Sequence, residues 1–212
     1  MRLAATLLLV FVFVSQSLGD ESGFQPLFDG KTLKGWEGKK AVFRVEKGAI
    51  VAGNLKQRIP NNEFLCTTKT YGDFELRLQA KLVGDGKNAG VQIRSKRIPN
   101  HHEVIGYQSD IGMMGEKNIW GSLYDESRRR KFLVTGKQEP LLKVFRDGDW
   151  NDMIIRCEGP RIRIWINGVS TADYVEQNAK IERAGVIGLQ IHGGPPAEAS
   201  YRKIRLKEFK SK

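Results

Sequence analysis

The sequence predicts an all-β protein, an antiparallel β-sandwich or jelly roll. Apolar residues at positions 74, 76, 78 and 80 alternate with polar ones, which is typical of a half-buried strand. The Asn167–Gly168 pair lies between two alternating runs, and this pair favours a tight hairpin because both residues tolerate positive φ. No segment shows a long 3.6-residue period, so many short strands in two layers are expected.

The predicted strands follow one another along the chain. An alternating run at 42–45 turns at Lys47 and Gly48 into an apolar run at 49–52. Further strands are predicted at 64–67, 73–82, 88–95, 107–111, 153–157, 161–166, 185–192 and 201–209. There is no internal repeat and no low-complexity linker, so residues 20–212 are expected to form a single domain.

Residues 1–19 are predicted to be a secretory signal peptide. Arg2 precedes an apolar run at 3–14, which is too short to span a bilayer, and small residues at Ser17 and Gly19 come before Asp20. The alternative is a buried N-terminal helix. After cleavage, the domain is expected to be periplasmic or extracellular. No later stretch is apolar enough to cross a membrane.

The composition is basic, with 35 Lys and Arg against 24 Asp and Glu and a formal net charge of +11. In an exported protein this excess either binds an anionic polymer or has no specific partner. Nucleic acid is not expected as a partner, because no zinc-finger, helix-turn-helix or RNA-binding signature is present.

Cys66 and Cys157 are the two cysteines, and they either pair in an oxidising compartment or are buried free thiols. No cysteine or histidine spacing is typical of a zinc site, so no metal site is predicted. The group of His101, His102 and Glu103 is either a surface loop or a ligand set, which leaves a divalent metal open.

Three predicted strands carry polar residues at alternate positions, opposite an apolar face. If they lie in one sheet, these residues share a surface. An array of amides, a carboxylate, a guanidinium and an imidazole suits a polyhydroxylated ligand. The alternative is the ordinary polar outer face of an antiparallel sheet. The residues are Gln92, Arg94, Gln108, Asp110, Gln190 and His192.

The segment 103–131 adds aromatic and charged residues after the strand that carries Asp110. Its rings offer an apolar surface to a sugar, and its charges offer acid, base and hydrogen-bonding groups. We interpret the segment as the wall of a polar cleft, the alternative being a charged surface loop. The candidates are Trp120, Tyr124, Asp125, Glu126 and Arg128.

Several known catalytic patterns are absent. There is no Gly-x-Ser-x-Gly elbow, no phosphate-binding loop and no His-Glu-x-x-His motif. Bacterial β-glucanases place Glu-x-Asp-x-x-Glu on a cleft strand, but here Gln108 and Met113 occupy the positions of the glutamates around Asp110. Two-carboxylate glycosidase chemistry is therefore not expected on that strand.

Seven short motifs, taken in order, resemble the 3-keto-disaccharide hydrolase family, also described as 3-keto-glucoside 1,2-lyase or 3-keto-2-hydroxy-glucal hydratase domains. Together they cover nearly the whole predicted domain. The motifs are FDGKTLKGW at 28–36, YGDFEL at 71–76, NAGVQIR at 88–94, WN at 150–151, WING at 165–168, GLQIHG at 188–193 and YRKI at 201–204.

The resemblance implies a concanavalin A-like fold and cleavage of 3-keto-glucosides by elimination and hydration. A base removes the C2 hydrogen, the enolate is stabilised and the C1 substituent leaves. Asp110 or Glu126 is the implied base, Arg94 the enolate stabiliser and His192 an acid or base. Many members carry Tyr-Glu-x-Gln-x-x-Asp on the cleft strand, whereas this chain has Gln108 in place of that glutamate.

The expected ligand is a carbohydrate, and no cofactor is implied. The departure at Gln108 keeps a second hypothesis open, a non-catalytic carbohydrate-binding module with the same cleft. The sequence does not indicate the aglycone, the anomer or the oligomeric state.

Overall fold

The computed structural model describes residues 21–136 and 138–209, so the signal peptide expected at 1–19 lies outside the described residues. The described chain forms two antiparallel sheets that pack face to face, with one short helix, α1 (Gln138–Leu142). The predicted all-β sandwich is confirmed.

The first sheet, sheet A, has long central strands and short edge strands. In spatial order it contains β14 (Val169–Val175), β13 (Arg161–Ile166), β12 (Asn151–Glu158), β6 (Phe74–Gly84), β16 (Ala197–Glu208), β4 (Ala49–Asn54) and β3 (Phe43–Glu46), with β1 (Gln25–Pro26) beside β16.

The second sheet, sheet B, holds the strands on which the polar face was predicted. In spatial order it contains β11 (Phe132–Val134), β10 (Leu123–Glu126), β8 (Val104–Met114), β7 (Asn88–Arg97), β15 (Val186–Ile191), β5 (Glu63–Thr67) and β2 (Trp36–Glu37), with β9 (Lys117–Asn118) beside β8.

The alternation in the sequence decides which side chains enter the core. On β6, Phe74, Leu76 and Leu78 are buried against sheet B, while Arg77 and Gln79 lie on the outer surface. Burial of each large apolar side chain contributes roughly 1.5–3 kcal/mol, so period two fixes the face that each strand turns inward.

Both predicted tight turns are present. Lys47 and Gly48 have φ of 49° and 74°, and Asn167 and Gly168 have φ of 48° and 82°. Positive φ at both central residues matches the right-handed twist of the strands that each turn joins. These turns connect β3 to β4 and β13 to β14.

The two cysteines are free thiols in different places. Cys157 is buried in the core between the sheets, and Cys66 is buried on the opposite face of sheet B. Of the two alternatives raised by the sequence, the structure has the buried thiols. Within residues 21–136 and 138–209, no helix has both the length and the apolar character needed to cross a bilayer.

Candidate functional site

The outer face of sheet B carries a cluster of buried polar side chains. Asp110 and Gln108 lie on β8, Gln92 lies beside Gln108 on β7, and Gln190 lies on β15. All four are buried, with at most 4% of each residue exposed. The sequence-predicted juxtaposition of these four residues is therefore present.

A chain of hydrogen bonds fixes the carboxyl at the end of this cluster. Ser95 Oγ donates to Gln92 Oε1 at 2.7 Å, and Gln92 Nε2 donates to Gln108 Oε1 at 2.8 Å. Gln108 Nε2 then donates to Asp110 Oδ1 at 2.6 Å. The amides of Gln92 and Gln108 each accept one hydrogen bond and donate another. The position of the Asp110 carboxyl is therefore fixed by side chains of two neighbouring strands.

The glycine at position 90 makes this arrangement possible. Gly90 lies opposite Asp110 across the strands, and a Cβ there would come within 2.4 Å of Gln108 Cδ. The absent side chain lets the Gln108 amide lie across β7.

Asp110 opens into a cavity of about 270 Å3. Small-molecule sites usually have volumes of roughly 300–1,000 Å3, so this cavity has room for about one sugar ring. Its lining residues are Asn62, Asn88, Gln108, Asp110, Met113, Met114, Ile119, Tyr124, Glu126, Phe132 and His192.

A larger cavity of about 490 Å3 lies at the sandwich edge, beside Lys34, Thr67, Tyr71 and Glu208. It contains none of the buried amides and carboxyls of sheet B, so we place the candidate site at Asp110.

Burial changes the acid–base properties of the site. Loss of solvation, reinforced by the charge of Glu126, raises the pKa of Asp110 to about 8, although the Gln108 hydrogen bond opposes this shift. Burial and the nearby Glu103 also raise the pKa of Glu126 above its ordinary value. Two carboxyls with raised pKa values on one cavity are typical of acid–base sites.

His192 and Tyr124 complete the wall of the cavity. His192 Nδ1 lies 2.6 Å from the carbonyl oxygen of Gly193, and this nitrogen donates because a carbonyl only accepts. That bond leaves Nε2 for a ligand. Tyr124 packs edge-on against Phe132 at 5.2 Å between ring centroids, and burial raises the pKa of its hydroxyl.

Arg94 does not lie on this face, so the prediction that it shares the cleft is wrong. A bulge between Ile93 and Lys96 reverses the side-chain alternation, and Arg94 has φ of 47°. Its guanidinium donates to the carbonyls of Gly72 and Gly159 and pairs with Asp73 at 2.7 Å.

Trp120 also lies away from the cavity. It is 3% exposed and packs in the core against Phe145, with ring centroids 5.3 Å apart. Its predicted role as a sugar platform is therefore not supported, and Tyr124 is the aromatic residue of the pair that lines the cavity.

Asp125 and Arg128 are likewise turned away from the cavity. Residues 123–126 form β10, so Asp125 points to the face opposite Tyr124 and Glu126. There its buried carboxylate pairs with Arg128 at 2.8 Å and with Arg129, which also pairs with Glu176. The predicted binding roles of Asp125 and Arg128 are therefore wrong, and these residues form a structural ion-pair network.

Several cavity residues were missed by the sequence interpretation. Asn88 lies four residues before Gln92 on the same face of β7, so extending the period-two pattern would have found it. Asn62 and Phe132 come from separate parts of the chain, and no local pattern links them to the site.

In the described part of the chain, no group of three or more His, Cys, Asp or Glu side chains is positioned to hold a metal. His101 Nδ1 accepts from the amide of Glu103 at 3.0 Å, and the two histidine rings stack 4.4 Å apart. The structure therefore supports the surface-loop alternative for His101, His102 and Glu103.

Comparison with known proteins gives a family match over most of the chain. A family model described as a 3-keto-alpha-glucoside-1,2-lyase-like domain matches residues 23–207. No match is found among curated proteins.

Solved structures share the fold at low sequence identity. A proposed glycosyl hydrolase from Parabacteroides distasonis ATCC 8503 has a TM-score of 0.64 and 18% identity, covering 89% of this chain and 94% of its own. The carbohydrate-binding module CBM66 from Bacillus subtilis has a TM-score of 0.63 and 13% identity, covering 82% and 96%. The β-glucanase from Bacillus licheniformis has a TM-score of 0.56 and 10% identity, covering 88% and 97%.

Proposed function

Because the chain belongs to the 3-keto-alpha-glucoside-1,2-lyase-like family, we propose that it cleaves 3-keto-glucosides or 3-keto-disaccharides by elimination followed by hydration. The site is the cavity at Asp110. We further propose that the protein is exported by the leader at 1–19 and meets its substrate in the periplasm or outside the cell.

The observation that carries this proposal is the buried Asp110 carboxyl with a pKa of about 8. A general base works best when its pKa lies near the working pH, because it is then both available and strongly basic. An exposed aspartate ionises near pH 4 and would be a much weaker base.

The elimination begins at the hydrogen on C2, which the neighbouring ketone at C3 makes acidic. Asp110 takes this proton, and the electron pair of the C–H bond forms an enolate. When the enolate collapses, the bond from C1 to the leaving oxygen breaks and a C1–C2 double bond forms. Glu126, which lines the same cavity, donates a proton to the leaving oxygen as this bond breaks. The product is a 3-keto-2-hydroxy-glucal.

Hydration uses the same groups in reverse. Glu126, now ionised, takes a proton from water as the water oxygen bonds to C1. Asp110 returns its proton to C2, so the net change is hydrolysis. Tyr124 supplies a hydroxyl donor for the enolate oxygen, and the free Nε2 of His192 orients a sugar hydroxyl.

The decisive experiment compares the purified protein with its Asp110→Asn variant on a 3-keto-glucoside and on the unoxidised glucoside. Loss of the base should lower turnover by roughly a hundredfold or more, the usual scale for general-base catalysis. Sugar affinity should change much less, because the amide keeps a hydrogen-bonding oxygen. Ketone consumption and aglycone release are both measured.

In the wild type, kcat/KM should rise through a pKa near 8 as Asp110 ionises. Glu126→Gln should remove the proton donor and affect substrates with poor leaving groups most. Turnover by Asp110→Asn at the wild-type rate would refute the role of Asp110.

A second candidate is a non-catalytic carbohydrate-binding module. The observation that favours it is Gln108, an amide where many relatives are expected to carry a glutamate, held on both sides by Gln92 and Asp110. In that case the wild type binds the keto sugar, and neither protein consumes it.

A further inference from the structure

The tip of the β7–β8 hairpin, residues 96–105, folds back over the outer face of sheet B. The bulge at Arg94 and Ser95 lies at its base, opposite Gly106. An extra residue on one strand bends a hairpin and increases its twist. Here the bend directs the tip over β15 and β5 and away from the plane of the sheet.

Contacts on one flank show how far the tip reaches. Arg97 Nε lies 2.8 Å from Glu37 Oε1, and its guanidinium also donates to the Glu37 carbonyl. Glu37 is on β2, which is separated from β7 by β15 and β5. Arg97 therefore spans two intervening strands.

Glu103 joins the two flanks of the sheet. Its Oε1 accepts from Asn62 Nδ2 at 3.1 Å, and its Oε2 accepts from Ser127 Oγ at 3.1 Å. Asn62 precedes β5 and Ser127 follows β10, with three strands between them. The Glu103 carboxylate therefore connects the hairpin tip to both sides of the outer face of sheet B.

Val104 of the tip packs in a small apolar cluster with Phe64 and Cys66 of β5, and an amide lies beside this cluster. Gln190 is paired with Phe64 on β5. Gln190 is fully buried, and among the described residues neither end of its amide has a hydrogen-bond partner. A buried polar group without a partner destabilises the folded state, so such a group calls for an explanation.

We propose that the hairpin tip is a lid over a second sugar-binding subsite, formed by the Gln190 amide and the Phe64 ring. This inference rests on the function proposed above and extends it from one sugar ring to two. An amide matches the donor and acceptor of a hydroxyl pair, and an aromatic ring matches the apolar face of a sugar. The cavity at Asp110 holds the ring that reacts, and the subsite beneath the lid takes the sugar attached to it.

The fastening of the lid suits opening. The tip is held by the contacts of Arg97 and Glu103, by the bond of His102 Nδ1 to the Asn62 carbonyl at 3.1 Å and by a small apolar cluster. An exposed ion pair at 2.6 Å also joins Lys96 to Glu182. Segments held by few buried apolar contacts open at lower free energy than the core. Opening exposes Gln190 and Phe64 without separating the two sheets.

Opening of the tip can be measured without any ligand, from the reactivity of the two native thiols. Cys66 lies beneath the lid, whereas Cys157 lies in the core and is exposed only by wider unfolding. Burial raises their pKa values to about 11 and about 12, so alkylation is measured at mildly alkaline pH with mass-spectrometric assignment of each site.

Glu103→Ala and Arg97→Ala should each speed alkylation of Cys66 by about tenfold or more and leave the alkylation rate of Cys157 unchanged. A tenfold increase in the equilibrium constant for opening of the tip corresponds to a loss of about 1.4 kcal/mol of contact energy. Asp173→Ala, which breaks an exposed ion pair with Arg161 on sheet A, is the matched control. If Cys66 and Cys157 react together in all four proteins, the tip is not a lid.

The subsite is tested by calorimetry in the Asp110→Asn background, with a 3-keto-disaccharide and a methyl 3-keto-glucoside. Gln190→Leu should weaken disaccharide binding about tenfold, the loss of one or two hydrogen bonds. Methyl glucoside binding should weaken clearly less, because Gln190 belongs to the same sheet face but does not line the Asp110 cavity. The variant should be at least as stable as its parent, because an unpaired buried amide is removed.

Three results would overturn the subsite. Equal losses for both sugars, or no loss for either, would refute it while leaving the proposed function intact. A protein that binds neither keto sugar would refute the proposed function and the subsite together.

Discussion

Asp110 shows how an ordinary carboxyl acquires a special pKa from its position. The side chain sits on the outer face of a sheet, where solvent normally keeps a carboxylate charged, yet the residue is only 4% exposed. One hydrogen bond from Gln108 does not compensate for the lost hydration. The protonated form is therefore favoured in the folded protein up to about pH 8.

This shift predicts how stability depends on pH. The pKa of Asp110 rises from 3.8 in the unfolded chain to about 8 in the folded one, so the folded state binds the proton more tightly. The associated stability is fully present below pH 4 and is lost as the pH rises through 8. Asp110→Asn removes this dependence.

The variant and the wild type should therefore have similar melting temperatures near pH 4, and the variant should melt several degrees higher at pH 8, a difference of a few kcal/mol. Thermal unfolding at both pH values makes the comparison. Identical melting temperatures at pH 8 would mean that Asp110 is not held neutral by burial.

Arg94 is a structural residue, and its replacement should act on stability. Its side chain is 2% exposed and bonds to Gly72, Gly159 and Asp73, which ties sheet B to two turns of sheet A. Arg94→Gln should cost about 3 kcal/mol, the scale for removing one partner of a buried charged network.

Urea unfolding measures that loss, and kcat below the transition should stay within a few-fold of the wild type. Arg161→Gln, at an exposed ion pair, is the control and should cost less than about 1 kcal/mol. A large fall in kcat with unchanged stability would instead support the role of Arg94 in stabilising the enolate.

At the scale of elements, period two explains which parts of the site could be predicted. Gln108 and Asp110 were found because they alternate on a regular strand, and the same holds for Gln92 and Gln190. No strand was predicted at 123–126, and treating this segment as a strand would have separated Asp125 from Tyr124 and Glu126.

The failure at Arg94 has a different cause. Reversal of alternation at a bulge depends on one residue with positive φ, and Arg94 is not a residue type that signals it. The contacts of the hairpin tip also join residues far apart in sequence, such as Glu103 with Asn62 and Ser127. Local sequence patterns do not predict such long-range contacts.

The bulge itself gives a testable prediction at Gly106. A Cβ at this position would approach Ser95 Oγ within 2.1 Å and the Ser95 Cα within 2.7 Å. Gly106→Ala should therefore displace the bulge, destabilise the protein by about 2 kcal/mol or more and speed alkylation of Cys66. Gly136→Ala is the control, since its Cβ would meet no atom closer than 3.4 Å. Equal stability of the two variants would show that the bulge tolerates a side chain.

At the scale of the whole molecule, the positive charge is spread out and largely paired on the outer face of sheet A. Arg77 pairs with Glu21 and Glu75, and Arg156 pairs with Glu75 and Glu158. The basic composition therefore does not produce a single-sign surface there, and the excess charge alone does not favour an anionic polymer as partner.

The two sheets are linked beneath the candidate site by one buried hydroxyl. Tyr201, on β16 of sheet A, is fully buried, and its hydroxyl lies 2.6 Å from the carbonyl oxygen of Gln190 and 3.2 Å from that of Gly90. These carbonyls belong to β15 and β7, the strands that carry the amides of the site. The hydroxyl therefore supports the floor of the site from the core side.

Tyr201→Phe keeps the ring in the core and removes the hydroxyl, so it should lower the free energy of unfolding by about 0.5–1.5 kcal/mol, the usual net contribution of one hydrogen bond. The raised pKa of Tyr201, caused by its burial, means that the effect should not depend on pH below 10. Tyr71→Phe is the control, because Tyr71 is a core tyrosine whose hydroxyl has no hydrogen bond to any described residue. Urea unfolding of both variants gives the comparison, and hydrogen exchange at Gly90 and Gln190 should quicken only in Tyr201→Phe. Equal stability of the two variants would show that the Tyr201 hydroxyl does not help to hold the two sheets together.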